Sequence, residues 1–168
     1  MMTSSAFIRR FVLLVAVTTL IAGSGCAKKA KEDESSVPNA ASADDNSGLG
    51  NSDSGNAMGL QTVHFPYDSF TLDSEGKAML KANAGIISSH ATIKIQVEGH
   101  CDQRGGIQYN IALGEKRANA VKKYLEDAGV SADRITTISF GKEKPIDPAE
   151  TDEAYAKNRR ANFVITSK

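Results

Sequence analysis

The stretch that most limits what this chain can become runs from Val97 to Arg117, reads VEGHCDQRGGIQYNIALGEKR, and is entered by an alternating run. Ile93, Ile95 and Val97 alternate with Lys94, Gln96 and Glu98, which is the pattern of a half-buried strand, and the alternation stops at Gly99. That strand delivers His100, Cys101 and Asp102 to a sheet edge, and Gly105 and Gly106 permit a tight turn after it. Asn110 falls near the start of the helix that follows, and Arg117 lies about two turns into it. A carboxylate at a strand end therefore faces a guanidinium and a helix N-terminus, whose dipole favours a nearby anion by about 0.3–1 kcal/mol. The constellation suits a ligand carrying an ammonium and a carboxylate close together, such as an amino acid. The same two residues can also be read as a plain Asp102–Arg117 salt bridge, and the residues alone leave both readings open.

The rest of the chain divides by composition. Residues 1–25 read as an export signal, with Arg9 and Arg10 ahead of an apolar run, Phe11 to Ala22, that is short for a bilayer span. Ala22-Gly23-Ser24-Gly25-Cys26 looks like a bacterial lipobox, which makes Cys26 the lipidated residue, although Gly23 stands where leucine is preferred. From Ala27 to about Met58 the chain is Ser, Asn, Asp, Gly, Ala and Lys with almost no large apolar side chain, the composition of a disordered tether. A flexible stretch of this length has a root-mean-square span of roughly 30 Å and a stretched limit near ~110 Å.

Residues 59–168 read as one globular domain. A short strand is expected over Gln61–Phe65, then a helix capped by Thr71 or Asp73 and running to about Ser89, with Met79, Leu80, Ile86 and Ile87 on one face. After the central strand, a second helix carries Leu113, Ala120, Val121, Tyr124 and Leu125 inward and ends at Gly129. Ile135–Phe140 is a third strand, Asp152–Lys157 a short helical piece, and Asn162–Ile165 the last strand. This order gives an α/β (α+β) fold: a small mixed sheet with two main helices packed on one face.

The segments EGHCDQRGG, YN and ALGEKRANAVKKYL resemble, in residue type and spacing over roughly thirty positions, the peptidoglycan-binding signature of the OmpA-like domain family. The resemblance implies a lipid-anchored outer-membrane protein, its domain in the periplasm, that binds the diaminopimelate residue of the peptidoglycan stem peptide without covalent chemistry. Carried over by position, Asp102 would hold the ammonium of that residue and Arg117 its carboxylate. A guanidinium pairs with a carboxylate through two parallel hydrogen bonds that a lysine cannot reproduce. Asn110 would hydrogen-bond ligand or loop, and Asp68 and Arg159 match further site positions. Arg159 and Arg160 read equally as solvated ends of the last strand. The resemblance further implies service in the Tol system, in envelope integrity and cell division, with TolB and other Tol proteins as partners. The alternatives are an OmpA-like lipoprotein of another envelope machine, such as a secretion apparatus, and a periplasmic Cys-dependent cell-wall hydrolase.

Charge and chemistry narrow the classes. The formal net charge is zero, and without residues 1–25 there are 18 basic against 20 acidic side chains, which offers no basic face for nucleic acid. The absence of tryptophan removes the best stacking platform for bases. His100 beside Cys101 invites a nucleophile reading, but neighbours on a strand point to opposite faces, so the imidazole is badly placed to activate that sulfur. His64, His90, His100 and Cys101 lack the paired spacing of zinc ligands. No enzyme activity, metal or cofactor is expected.

Overall fold

The computed structural model describes residues 49–168, and the expected export signal, Cys26 and the segment as far as residue 48 lie outside them. Eight elements follow in order. They are β1 (Val63–His64), α1 (Ser74–Ser89), β2 (Lys94–His100), α2 (Ile107–Asp127), a 3-10 turn (Ala132–Arg134), β3 (Ile135–Gly141), α3 (Asp152–Asn158) and β4 (Arg160–Ser167). The sheet order is β1-β4-β2-β3, with β2 and β3 parallel and the other pairs antiparallel. This is the mixed sheet that the sequence predicts.

Helix α1 begins where Asp73 accepts a hydrogen bond from the Gly76 amide at 2.7 Å, which satisfies one of the free N–H groups of the first turn. Its buried stripe is Leu80, Ala84 and Ile87, while Met79 and Ile86 flank the core half-buried. In α2 the stripe is Ala118, Val121 and Leu125, and Gly129 follows the helix in the left-handed conformation at φ +95°. Both helices close over one face of the sheet, against Ile95, Val97, Ala161, Phe163 and Ile165. The Tyr124 hydroxyl donates to the Lys77 carbonyl at 3.1 Å and joins the two helices.

The last strand is longer than expected, Arg160–Ser167 and not Asn162–Ile165, and two further expectations need correcting. Strand β1 is Val63–His64 and not Gln61–Phe65, because the Gln61 backbone is paired with the Asn83 side chain instead: its amide donates to Oδ1 at 2.9 Å and its carbonyl accepts from Nδ2 at 2.8 Å. The folded unit also starts before Gly59. Ala57 is fully buried in the core and Leu49 packs against it. The Ser52 amide donates to the Phe163 carbonyl at 2.9 Å and the Ile165 amide to the Gly50 carbonyl at 3.0 Å, so residues 50–52 line the edge of β4 beyond the reach of β1. Composition misses this strap because it is held by backbone groups and small side chains, which carry no hydrophobic signal.

Candidate functional site

Where β2 ends, α2 lies unusually close to it. A β-carbon at Gly99 would overlap the Gly114 carbonyl, and one at Gly114 would overlap the Ser139 hydroxyl. One helical turn beyond Gly114, Arg117 reaches back past the strand end and is completely buried. Its Nε donates to the Ser69 carbonyl at 2.8 Å, Nη1 to the His100 carbonyl at 2.8 Å, and Nη2 to the Pro66 carbonyl at 3.1 Å. Nη1 also approaches Cys101 Sγ at 3.4 Å, and the Phe65 ring centroid is 5.2 Å from the guanidinium carbon. Burial pulls the guanidinium down from its ordinary value. Of the five N–H groups an arginine carries, these contacts occupy four. Arg117 therefore ties the loop after β1 to α2, and its fork faces carbonyls.

Asp102 is buried two residues past the strand and does not pair with Arg117, so the simple salt bridge between them is not formed. Its carboxylate takes Arg104 through Nη2–Oδ2 at 2.6 Å and Nε–Oδ1 at 3.3 Å, and Arg159 through Nη1–Oδ2 at 3.3 Å. The Arg104 amide also donates to Oδ1 at 3.1 Å, closing an Asx turn. Burial alone would raise the Asp102 carboxyl, but the hydrogen bonds from Arg104 and Arg159 outweigh it and hold the group below the usual carboxylate range. Arg159 turns inward rather than into solvent, and its Nε donates to the Phe65 carbonyl at 3.0 Å. Asn110 is in the first turn of α2, where Gly106 is the N-cap, and its Nδ2 donates to the Arg104 carbonyl at 2.8 Å. Of the two roles open to it, the bond to the loop is the one seen in the structure.

These side chains surround a cleft of about 180 Å³. All five expected residues, Asp68, Asp102, Asn110, Arg117 and Arg159, line it. Cys101, Gly105 and Leu113 line it too, and so do Tyr67, Arg104 and Tyr109, whose place in the wall was not foreseen. Asp68 stands at the lip with φ +50°, the left-handed region that aspartate tolerates better than most residues, and accepts a hydrogen bond from the Tyr109 hydroxyl. The guanidinium carbon of Arg104 is 4.1 Å from the Tyr67 ring centroid and 4.5 Å from that of Tyr155. The signal for Arg104 was the Asp-x-Arg spacing ahead of two glycines, which places the arginine's own amide under the aspartate.

The cleft is lined by polar groups and a buried thiol. Cys101 is a free, buried cysteine whose Sγ donates to the Asn110 carbonyl at 3.3 Å, and burial pushes its thiol up, away from the nucleophilic thiolate. The His100 ring stacks on Phe140 at 5.6 Å and approaches Glu98 rather than Cys101. Among the described residues no group of His, Cys, Asp and Glu is placed to hold a metal ion, and no helix is long and apolar enough to cross a membrane.

Residues 64–159 match the OmpA family. The peptidoglycan-associated lipoprotein of Pasteurella multocida is 44% identical over 100 residues, covering 60% of this chain and 67% of that protein. The one from Agrobacterium fabrum is 34% identical over 157 residues, covering 90% of this chain and 86% of that protein. In its 100- to 103-residue matches the chain spans 60–67% of the relatives' own length. Among solved structures, the peptidoglycan-associated lipoprotein from Burkholderia pseudomallei superposes with a TM-score of 0.61 at 37% identity, covering 62% of this chain and 89% of that one.

Proposed function

The chain belongs to the OmpA family, and from that premise we propose that it is an outer-membrane lipoprotein that binds peptidoglycan through the Asp102 cleft and joins the membrane to the cell wall without catalysis. The observation that carries this reading is a buried carboxylate and a buried guanidinium that line one cleft without neutralising each other directly. Asp102 would accept the ammonium of a diaminopimelate side chain. Its carboxylate would lie toward Arg117, whose contacts among the described residues are carbonyls, a thiol and an aromatic ring rather than a counter-ion. Because three carbonyls and the Cys101 sulfur take four of the five N–H groups, the anion would meet one remaining N–H and the field of a desolvated cation, not a free fork. The cleft's about 180 Å³ is below the roughly 300–1,000 Å³ of small-molecule pockets, in keeping with the end of one side chain as occupant.

The same reading makes Cys26 the lipid-bearing residue, places the domain in the periplasm, and assigns the protein to the Tol system as its peptidoglycan-associated member, with TolB and other Tol proteins as partners in envelope integrity and cell division. Support for this wider role comes from the similarity to proteins named peptidoglycan-associated lipoprotein. The test is co-sedimentation with purified sacculi. Wild type should pellet with the wall, and Asp102→Ala should stay in the supernatant with its melting curve still cooperative. An Asp102→Ala protein that pellets as well as wild type would sink the site assignment.

A further inference from the structure

Asp102 has no vacancy for a ligand ammonium. Both carboxylate oxygens are engaged, Oδ1 by Nε and the backbone amide of Arg104, and Oδ2 by Arg104 Nη2 and Arg159 Nη1. If the proposed reading of the cleft holds, an entering cation has to replace one of the two guanidinium groups, and the two are not equally free. The Arg159 side chain is 15% exposed and its Nε is fixed on the Phe65 carbonyl. That of Arg104 is 37% exposed, and apart from Asp102 it rests on the faces of Tyr67 and Tyr155.

The geometry points to Arg104 as a built-in competitor that sets the affinity and selectivity of the cleft: its guanidinium holds the ammonium subsite on Asp102 and must swing out for a ligand cation to enter. The backbone around it is secured for such a swing. Asn110 Nδ2 holds the Arg104 carbonyl at 2.8 Å, and Lys142 Nζ holds the Gly105 carbonyl at 2.8 Å. The Arg104 amide remains on Oδ1 and keeps the carboxylate aimed. The movement is then a rotamer change of one half-exposed side chain. Exchanging cation for cation leaves the charge of the cleft unaltered. It also frees two tyrosine faces, which favour a cation above them. A neutral ligand has nothing to offer Asp102 in return for the displaced guanidinium, so the cleft selects an ammonium on a slim aliphatic stem and rejects its acylated form.

Titration calorimetry with a stem tripeptide ending in diaminopimelate tests this on wild type, Arg104→Gln and Arg104→Ala. Losing a partly exposed ion pair that opposes binding should tighten both variants about fivefold. In wild type, the Nε–H resonance of Arg104 should move to its solvent-exposed position as the cleft fills. If wild type binds but Arg104→Gln binds equally or more weakly, Arg104 is not a competitor and the inference fails alone. If the Arg104 resonance is unchanged at saturation, it fails whatever the variants do. If neither wild type nor variants bind the tripeptide, the proposed ligand class is wrong and this inference goes with it.

Discussion

Arg159 and Arg160 are consecutive, yet they serve opposite faces of the sheet. Arg159 turns to Asp102 in the cleft, while Arg160 turns to the opposite face, where its Nε donates to Asp53 Oδ2 at 2.8 Å. That second face holds similar ingredients. Asn162 Nδ2 donates to Glu98 Oε2 at 2.8 Å, Ser52 Oγ donates to Asn162 Oδ1 at 2.8 Å, and His100 Nε2 lies 3.5 Å from Glu98 Oε2. The difference lies in what closes each cluster. The strap at residues 51–53 lies over Asn162 and Arg160 and supplies fixed partners. Across the sheet the corresponding cover is the side chain of Arg104, which can leave. On the proposed reading, an arginine–carboxylate pair becomes a recognition site when one of its covers is displaceable.

The contrast can be broken most forcefully at Arg117. Arg117→Ala would leave the Pro66, Ser69 and His100 carbonyls without their donor in a buried setting. A loss of about 3–5 kcal/mol is expected in urea denaturation, since each orphaned buried group costs about 1–3 kcal/mol and part of that is recovered by water. A variant within 1 kcal/mol of wild type would show that Arg117 is not the bolt described here.

The two aspartates should exchange effects. Asp53→Ala strands Arg160, whose side chain is 3% exposed, and should lower stability by about 2–4 kcal/mol while leaving sacculus binding unchanged. Asp102→Ala should cost about 2–5 kcal/mol of ligand affinity, because it removes one member of a desolvated, hydrogen-bonded charge pair. Calorimetry and chemical denaturation on both proteins read the exchange. Equal loss of affinity in the two variants would erase the distinction between the faces.

A smaller effect concerns pH. Burial, joined by the nearby Arg160 charge, holds His100 below the ordinary histidine value despite Glu98. The unfolded chain therefore takes up this proton first as pH falls, so the contribution of His100 is complete above about pH 6.5 and declines from there toward its folded value. Denaturation midpoints at pH 7.0, 6.0 and 5.0 should fall in that order, and His100→Gln should flatten the trend. An unaltered slope in the variant would remove His100 from the account.

Much of the frame was legible because it rests on periodicity. Leu80 and Ile87 in α1, and Val121 and Leu125 in α2, sit at helical spacing and are all fully buried. Gly99 stopped the alternation for a reason that only the close approach of Gly114 explains. The site was legible as a list of neighbours and less so as a wiring diagram. Arg117 was foreseen beside Asp102, but a guanidinium that satisfies three carbonyls looks the same in a sequence as one that faces a ligand. Arg104 was missed although its spacing from Asp102 was readable, because the two tyrosine rings it rests on, 37 and 51 positions away, depend on the fold. The strap escaped for a related reason: Gly50 and Ser52 bind through groups that every residue possesses.

The strap also decides where a mechanical load would enter. Any pull transmitted along the chain from residues 1–48 reaches Gly50 and Ser52 before it reaches β1, either main helix or the cleft. There it meets the two backbone bonds to Ile165 and Phe163, the Ser52–Asn162 contact and the Asp53–Arg160 pair. The cleft walls that carry Asp102, Arg117 and Arg159 all come from later in the chain. Tension would reach the strap on the edge of β4 before it reaches the cleft walls, so the strap would stand first in line as a fuse for the grip proposed downstream.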